Sequence, residues 1–194
     1  MVTVKKLQSI VAEIREFCET HADPKQVQKY ARFFTEGYDA YGVSKEVFIE
    51  QTAILNRKYQ DVLTLDDYIQ LGDLLIRSGK YEEASFAIRL LDPFHEQFQS
   101  SHFQQFGNWL DNGICNWGHT DVLSGEILSK FLDNHIVALH VLSSWRNSSS
   151  KWKRRAVPVT LINLAKTTSD IESLFDFIEP MMHDPDRFVH QGLG

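Results

Sequence analysis

An all-α fold, organised as an α-solenoid, is what three features of the sequence predict. Apolar residues recur at helical spacing from end to end, and no segment makes a convincing strand. Aromatics open alternate helical runs at Tyr81, Trp117, Trp152 and Phe188, at intervals of 36, 35 and 36 residues. One further step of 36 back from Tyr81 reaches Lys45, where another helical run begins. A period of this length with two helices per period is the mark of stacked helix pairs, because one pair cannot bury its apolar face alone. Such stacking gives a concave binding face, and helices in equivalent positions line the same side.

The elements follow from local signals. Leu7, Ile10, Val11, Ile14, Phe17 and Cys18 share one face of a first helix. Asp23-Pro24 reads as a cap followed by proline in the first turn of a second, which carries Val27, Tyr30, Ala31, Phe34 and Tyr38 inward up to Gly42. Ser44 caps a third helix with Val47, Phe48, Ala53, Ile54 and Leu55 inward. Thr64-Leu65-Asp66-Asp67 resembles a capping box opening a fourth, and Gly79 suits its exit. A fifth runs from Tyr81 to Leu91 before Pro93, and a sixth ends at Asn112-Gly113. A seventh spans 117–132, an eighth 136–145, a ninth 152–166 and a tenth 171–182, with an eleventh starting at Asp184-Pro185. Pro158 predicts a kink or a late start in the ninth. By the period, this last helix has lost its outer partner at Gly194, so the chain reads as one domain over 1–194, truncated at the C-terminus.

Composition narrows the function classes. An apolar content of 43% supports a continuous core and excludes a disordered chain. No apolar run is long enough for a membrane span, and the N-terminus lacks the apolar core and cleavage site of a signal peptide. Two lone cysteines, Cys18 and Cys115, suit a reducing cytoplasm better than a disulfide framework, and Cys18 falls on the apolar face of the first helix. A net charge of −6 argues against indiscriminate coating of nucleic acid, though not against a local basic groove.

Such a local patch exists. From Arg146 to Arg155 there are five Lys or Arg residues and no Asp or Glu. One period upstream, Trp117 and Asp121 are four apart and hence on one side of a helix. The shared face would then place an indole and a carboxylate beside guanidinium groups. Guanidiniums suit phosphate contacts, and an indole can pack on a sugar or base. A carboxylate is out of place in a phosphate groove unless a positive group compensates it. It can, however, stabilise an oxocarbenium-like centre or orient a water during glycosidic cleavage. His119 and Asp121 lie two apart and point to different sides of a helix, which speaks against a metal pair.

Three motifs carry a family resemblance: Asn116-Trp117-Gly118-His119-Thr120-Asp121, Trp152-Lys153-Arg154-Arg155-Ala156 and Phe188-Val189-His190-Gln191-Gly192-Leu193-Gly194. With Ala31-Arg32-Phe33-Phe34 and Tyr41-Gly42-Val43 near the N-terminus, the chain resembles the DNA alkylation repair family of HEAT-like-repeat glycosylases. The resemblance implies an all-helical solenoid that cradles alkylated duplex DNA. It implies hydrolysis of the N-glycosidic bond of cationic N3- and N7-alkylpurines without flipping the base. It implies Asp121 as the catalytic carboxylate, with Trp117, Arg155 and Arg154 as contacts to the substrate and DNA backbone. It implies no metal or organic cofactor. A cytoplasmic monomer with no membrane partner is expected. Departures from the family pattern are Gly118 where a second acid is common, Gln191 where the family has lysine, and Ser44-Lys45-Glu46-Val47-Phe48 after Gly42. The alternative is a non-catalytic helical-repeat module that binds nucleic acid or protein, since solenoids host many functions.

Overall fold

The computed structural model describes residues 2–194, which contain helices and no strand. The chain is an all-α helical-repeat protein. First helices of successive periods start at Lys45, Tyr81, Trp117, Lys151 and Arg187, at intervals of 36, 36, 34 and 36 residues. The chain forms two compact units, 1–94 and 95–194.

In the first unit, α1 (Val4–Thr20), α4 (Leu65–Ile76) and α5 (Tyr81–Arg89) pack together. Leu7, Ile10, Ile14, Leu71, Leu75 and Phe86 are at most 2% exposed there. The remaining elements are α2 (Pro24–Ala31) and α3 (Lys45–Tyr59). The caps follow the sequence: Asp23, Ser44 and Thr64 each accept a first-turn N–H, and Thr64 and Asp67 complete a reciprocal box. A buried loop needs internal partners for its backbone. Here Glu82 supplies them, accepting from the N–H groups of Tyr41, Gly42 and Val43 at 2.9, 2.7 and 3.1 Å. Gly42 has φ +88°, and a Cβ there would lie 2.2 Å from the carbonyl of Asp23, so only glycine fits.

In the second unit, α6 (Ser100–Asp111), α7 (Trp117–Val122), α8 (Ser129–Asp133) and α10 (Ile171–Ile178) surround α9 (Lys151–Thr167). The most extensive partner of α9 is α11 (Arg187–Leu193). An aromatic core of Phe98, Phe103, Phe106, Phe131 and Trp145 fills the space behind α6. Trp145 lies at 4.8 Å from Phe103, in the room left by Gly107, where a Cβ would meet the indole at 2.6 Å.

Several expectations are corrected. Ala53 and Ile54 of α3 face outward, as do Tyr30 and Ala31 of α2. Residues 136–145 form no α-helix. Ile136 and Val137 spend their N–H groups on the carbonyl of Phe131, and short 3₁₀ turns follow at Leu139–Leu142 and Trp145–Asn147. Leu142 and Trp145 are both buried, and their three-residue spacing suits 3₁₀ geometry. α10 stops at Ile178 because Pro180 offers no N–H, and a 3₁₀ turn, Glu179–His183, continues. Pro158 neither delays nor divides α9, which runs through it from Lys151.

Candidate active site

The site is built on the first turns of α7, α9 and α11. Asn116 caps α7: its Oδ1 accepts from the N–H of His119 at 2.8 Å, and its Nδ2 donates to His119 Nδ1 at 2.8 Å. Asn116 and His119 are both buried, so this reciprocal pair anchors the turn from which Trp117 and Asp121 project. Trp117 is half-buried, and the Asp121 side chain is 31% exposed.

After Asp121 the helix widens into a single π-helical turn, Leu123–Leu128, before resuming as α8. Widening moves the N–H of Ser129 onto the carbonyl of Ser124 and takes it from that of Gly125. Gly125 O is satisfied instead by Ser129 Oγ at 2.7 Å and by Asn163 Nδ2 of α9 at 3.2 Å. In a regular α-helix a residue five positions on points ~140° away, at ~100° per residue. The wider turn brings Glu126 onto the rim of the same open depression, of about 460 Å³, that Asp121 lines. Arg155, Asn163, Gln191 and Gly192 line it too. Single π turns recur at functional sites for this reason: they re-aim side chains without breaking the helix.

Arg155 joins the three first turns. Its Nε and Nη2 donate to Asp121 Oδ1 and Oδ2, both at 2.7 Å, a bidentate fork. Its Nη1 donates to the carbonyl of Phe188 in α11 at 2.5 Å. The residue is 6% exposed, so these bonds replace the water that a buried guanidinium loses. α11 comes close to α9 at Gly192, where a Cβ would make a tight 3.2 Å contact with Arg155 Cγ.

Every other cation of the α9 first turn also meets a carboxylate. Lys153 pairs with Asp111 at 2.5 Å, and Lys151 lies 3.9 Å from Asp186. Arg154 grips Asp184 through Nε at 2.6 Å and Nη2 at 3.1 Å, and donates through Nη1 to the carbonyls of Ser148 and Ser149. Burial raises the Asp184 carboxyl, but the hydrogen bonds from Arg154 and from the N–H of Asp186 outweigh it and hold the group below its ordinary value. The basic stretch is thus charge-compensated by its own neighbours.

Trp152 does not line up with Trp117 on an open face, contrary to the period argument. It is 6% exposed and packs at 5.1 Å on Phe188, with Lys151 Nζ over both rings. Burial wins here because α11 covers the N-terminal end of α9. Sequence reasoning missed Asp111, Asp184, Glu126, Asn163 and the Phe188 carbonyl. Asp184 carried a signal only as a helix start; nothing in the order of residues pairs it with Arg154, 30 positions away. Among the described residues no group of three or more His, Cys, Asp or Glu is arranged to hold a metal ion. None of their helices is long and apolar enough to cross a membrane.

The arrangement offers chemistry of one kind: an accessible carboxylate, fixed in orientation by a buried guanidinium, in an open depression. No curated protein matches the chain. A family model described as DNA alkylation repair enzyme matches residues 14–194, which include both the Trp117–Asp121 turn and the Arg155 turn. With the match covering almost the whole chain and all three turns of the site, the protein belongs to the DNA alkylation repair enzyme family.

Proposed function

We propose that the protein is a DNA glycosylase that hydrolyses the N-glycosidic bond of N3- and N7-alkylpurines in duplex DNA. In this reading the Asp121 carboxylate faces the sugar of the damaged nucleotide. It stabilises the positive charge that develops at the anomeric carbon as the base departs, and orients the attacking water. The alkylated base is cationic and leaves as a neutral purine, so no general acid is needed to assist its departure. Arg155 compensates Asp121 beside the polyanionic backbone and keeps its two oxygens in register. Trp117, one turn earlier, packs on the sugar or backbone of the lesion. An open depression, as against an enclosed pocket, supports attack without extrusion of the base.

The observation that carries this reading is the Asp121–Arg155 fork: a carboxylate with bidentate support at 2.7 Å that is still 31% exposed. Glu83 and Asp184, which are also held through both oxygens by one arginine, are only 1% and 5% exposed. The test is release of 7-methylguanine and 3-methyladenine from methylated duplex DNA by the protein and by Asp121→Asn. The variant is expected to fall by about 100-fold or more, the scale of losing a preorganised electrostatic group. Equal release by both would remove Asp121 from the chemistry. No release by the unaltered protein, with salt-dependent duplex binding retained, would favour a binding module.

A further inference from the structure

We propose that Arg154 is a positioning residue for Asp121, acting through Asp184 and α11, and not a contact to DNA phosphate. The inference rests on the reading of Asp121 as the reacting carboxylate. A guanidinium has five N–H donors. Those of Arg154 make four bonds to protein oxygens: two to Asp184, and one each to the carbonyls of Ser148 and Ser149. The Asp184 side chain is 5% exposed, and that of Arg154 14%. Arg154 borders an open depression of about 750 Å³ beside Ser148, Ser149 and Ser150, but its donors are turned to protein oxygens.

The pair leads to Asp121 by a continuous set of bonds. Asp184 Oδ1 also accepts from the N–H of Asp186 at 2.9 Å. Asp186 Oδ1 caps α11 by accepting from the N–H of Phe188 at 2.8 Å. The carbonyl of Phe188 accepts from Arg155 Nη1, and Arg155 holds both oxygens of Asp121. α11 has seven residues, too few to be stable by its own backbone bonds, so its place depends on what ties it to α9. Arg154 and Arg155, adjacent on α9, hold the two sides of its start: one the loop before it, the other its first-turn carbonyl. Releasing Asp184 would let that carbonyl drift, and with it the third support of Arg155.

The two roles give opposite results when Asp184 is neutralised. The full chain, Arg154→Lys, Asp184→Asn, their double variant and Asp184→Glu would be compared in steady-state release of 7-methylguanine from methylated duplex, which yields kcat and KM separately. Affinity and salt dependence for unmodified duplex DNA, thermal unfolding, and the carboxyl ¹³C resonance of Asp121 would be measured alongside. Positioning predicts that Arg154→Lys and Asp184→Asn each lower kcat by roughly 10- to 100-fold, as misplacement by about 1 Å does. KM and duplex affinity should stay within about twofold, the double variant should be no worse than either single one, and Asp184→Glu should recover most of kcat. The Asp121 resonance should move in Asp184→Asn while the melting transition stays cooperative. A phosphate contact predicts tighter duplex binding in Asp184→Asn, where Arg154 is set free, and a salt slope smaller by about one in Arg154→Gln, added as the charge-removing variant; either result overturns the proposal. If the unaltered protein releases no base, the glycosylase reading fails by itself. The Asp121 resonance then decides the positioning role, and no movement in Asp184→Asn overturns it.

Discussion

Arg155 illustrates how much a single side chain can be asked to do at the residue scale. It is buried, it crosses three helices, and its fork meets a carboxylate that remains partly in water. Arg155→Ala leaves Asp121 uncompensated and Phe188 O without its donor, and opens space beneath Gly192. A loss of about 2 kcal/mol is expected, below the ~3–5 kcal/mol of a fully buried broken pair because Asp121 can still be hydrated. Urea unfolding at constant m-value measures it. Cys18 makes the opposite case, of a reactive group kept inert. Burial, with Glu82 and Glu83 nearby, pushes its thiol up to about 12. Iodoacetamide at neutral pH should therefore label the exposed Cys115 and leave Cys18 unmodified until the chain is unfolded, as peptide mass spectrometry would read.

At the scale of elements, helix pairs approach where glycine permits it and turn where backbone bonds are re-routed. Gly107→Ala puts a methyl within 2.6 Å of the Trp145 ring, in a core where the ring is 2% exposed. Destabilisation of about 1–3 kcal/mol is expected, the usual cost of overpacking, seen as a lower melting temperature. In the π-helical turn after Asp121, Gly125 O accepts from Ser129 Oγ and from Asn163 Nδ2 of α9. The run from Trp117 to Leu132 reads as plain helix, since Leu123, Ile127, Leu128, Phe131 and Leu132 keep spacings of three and four that a regular helix also shows. The missing helix at 136–145 fails for a related reason. Leu142 and Trp145 satisfy a helical pattern, but three-residue spacing serves a 3₁₀ turn equally well.

For the molecule as a whole, charge compensation sets the response to pH and salt. The carboxyls of Asp184, Asp67 and Glu13 all sit below their ordinary values: burial raises each of them, and hydrogen bonds to the ionised form outweigh it. A folded value below the unfolded one means stability that is full above the ordinary carboxylate range and lost as pH falls through the folded values. The melting temperature should be flat from neutral pH to about 5 and fall below about 4. Duplex binding should weaken with salt, as it must for any partner held through phosphates. The slope should be modest for so basic a stretch, because Lys151, Lys153, Arg154 and Arg155 each already have a carboxylate beside them.

The sequence by itself determined the all-helical repeat, its period near 36 residues, most caps, and the Trp117–Asp121 and Arg155 turns one period apart. All of these are local or periodic properties, written in spacing and in the chemistry of caps. Tertiary structure alone decided what each cation faces. Ion pairs such as Arg154–Asp184 and Lys153–Asp111 join residues 30 and 42 positions apart, and depend on how α9 is surrounded. No periodicity encodes that choice, so a basic stretch that reads as open to an anionic partner proves to be closed largely on itself, while Asp121, gripped by Arg155, still keeps one side to the solvent.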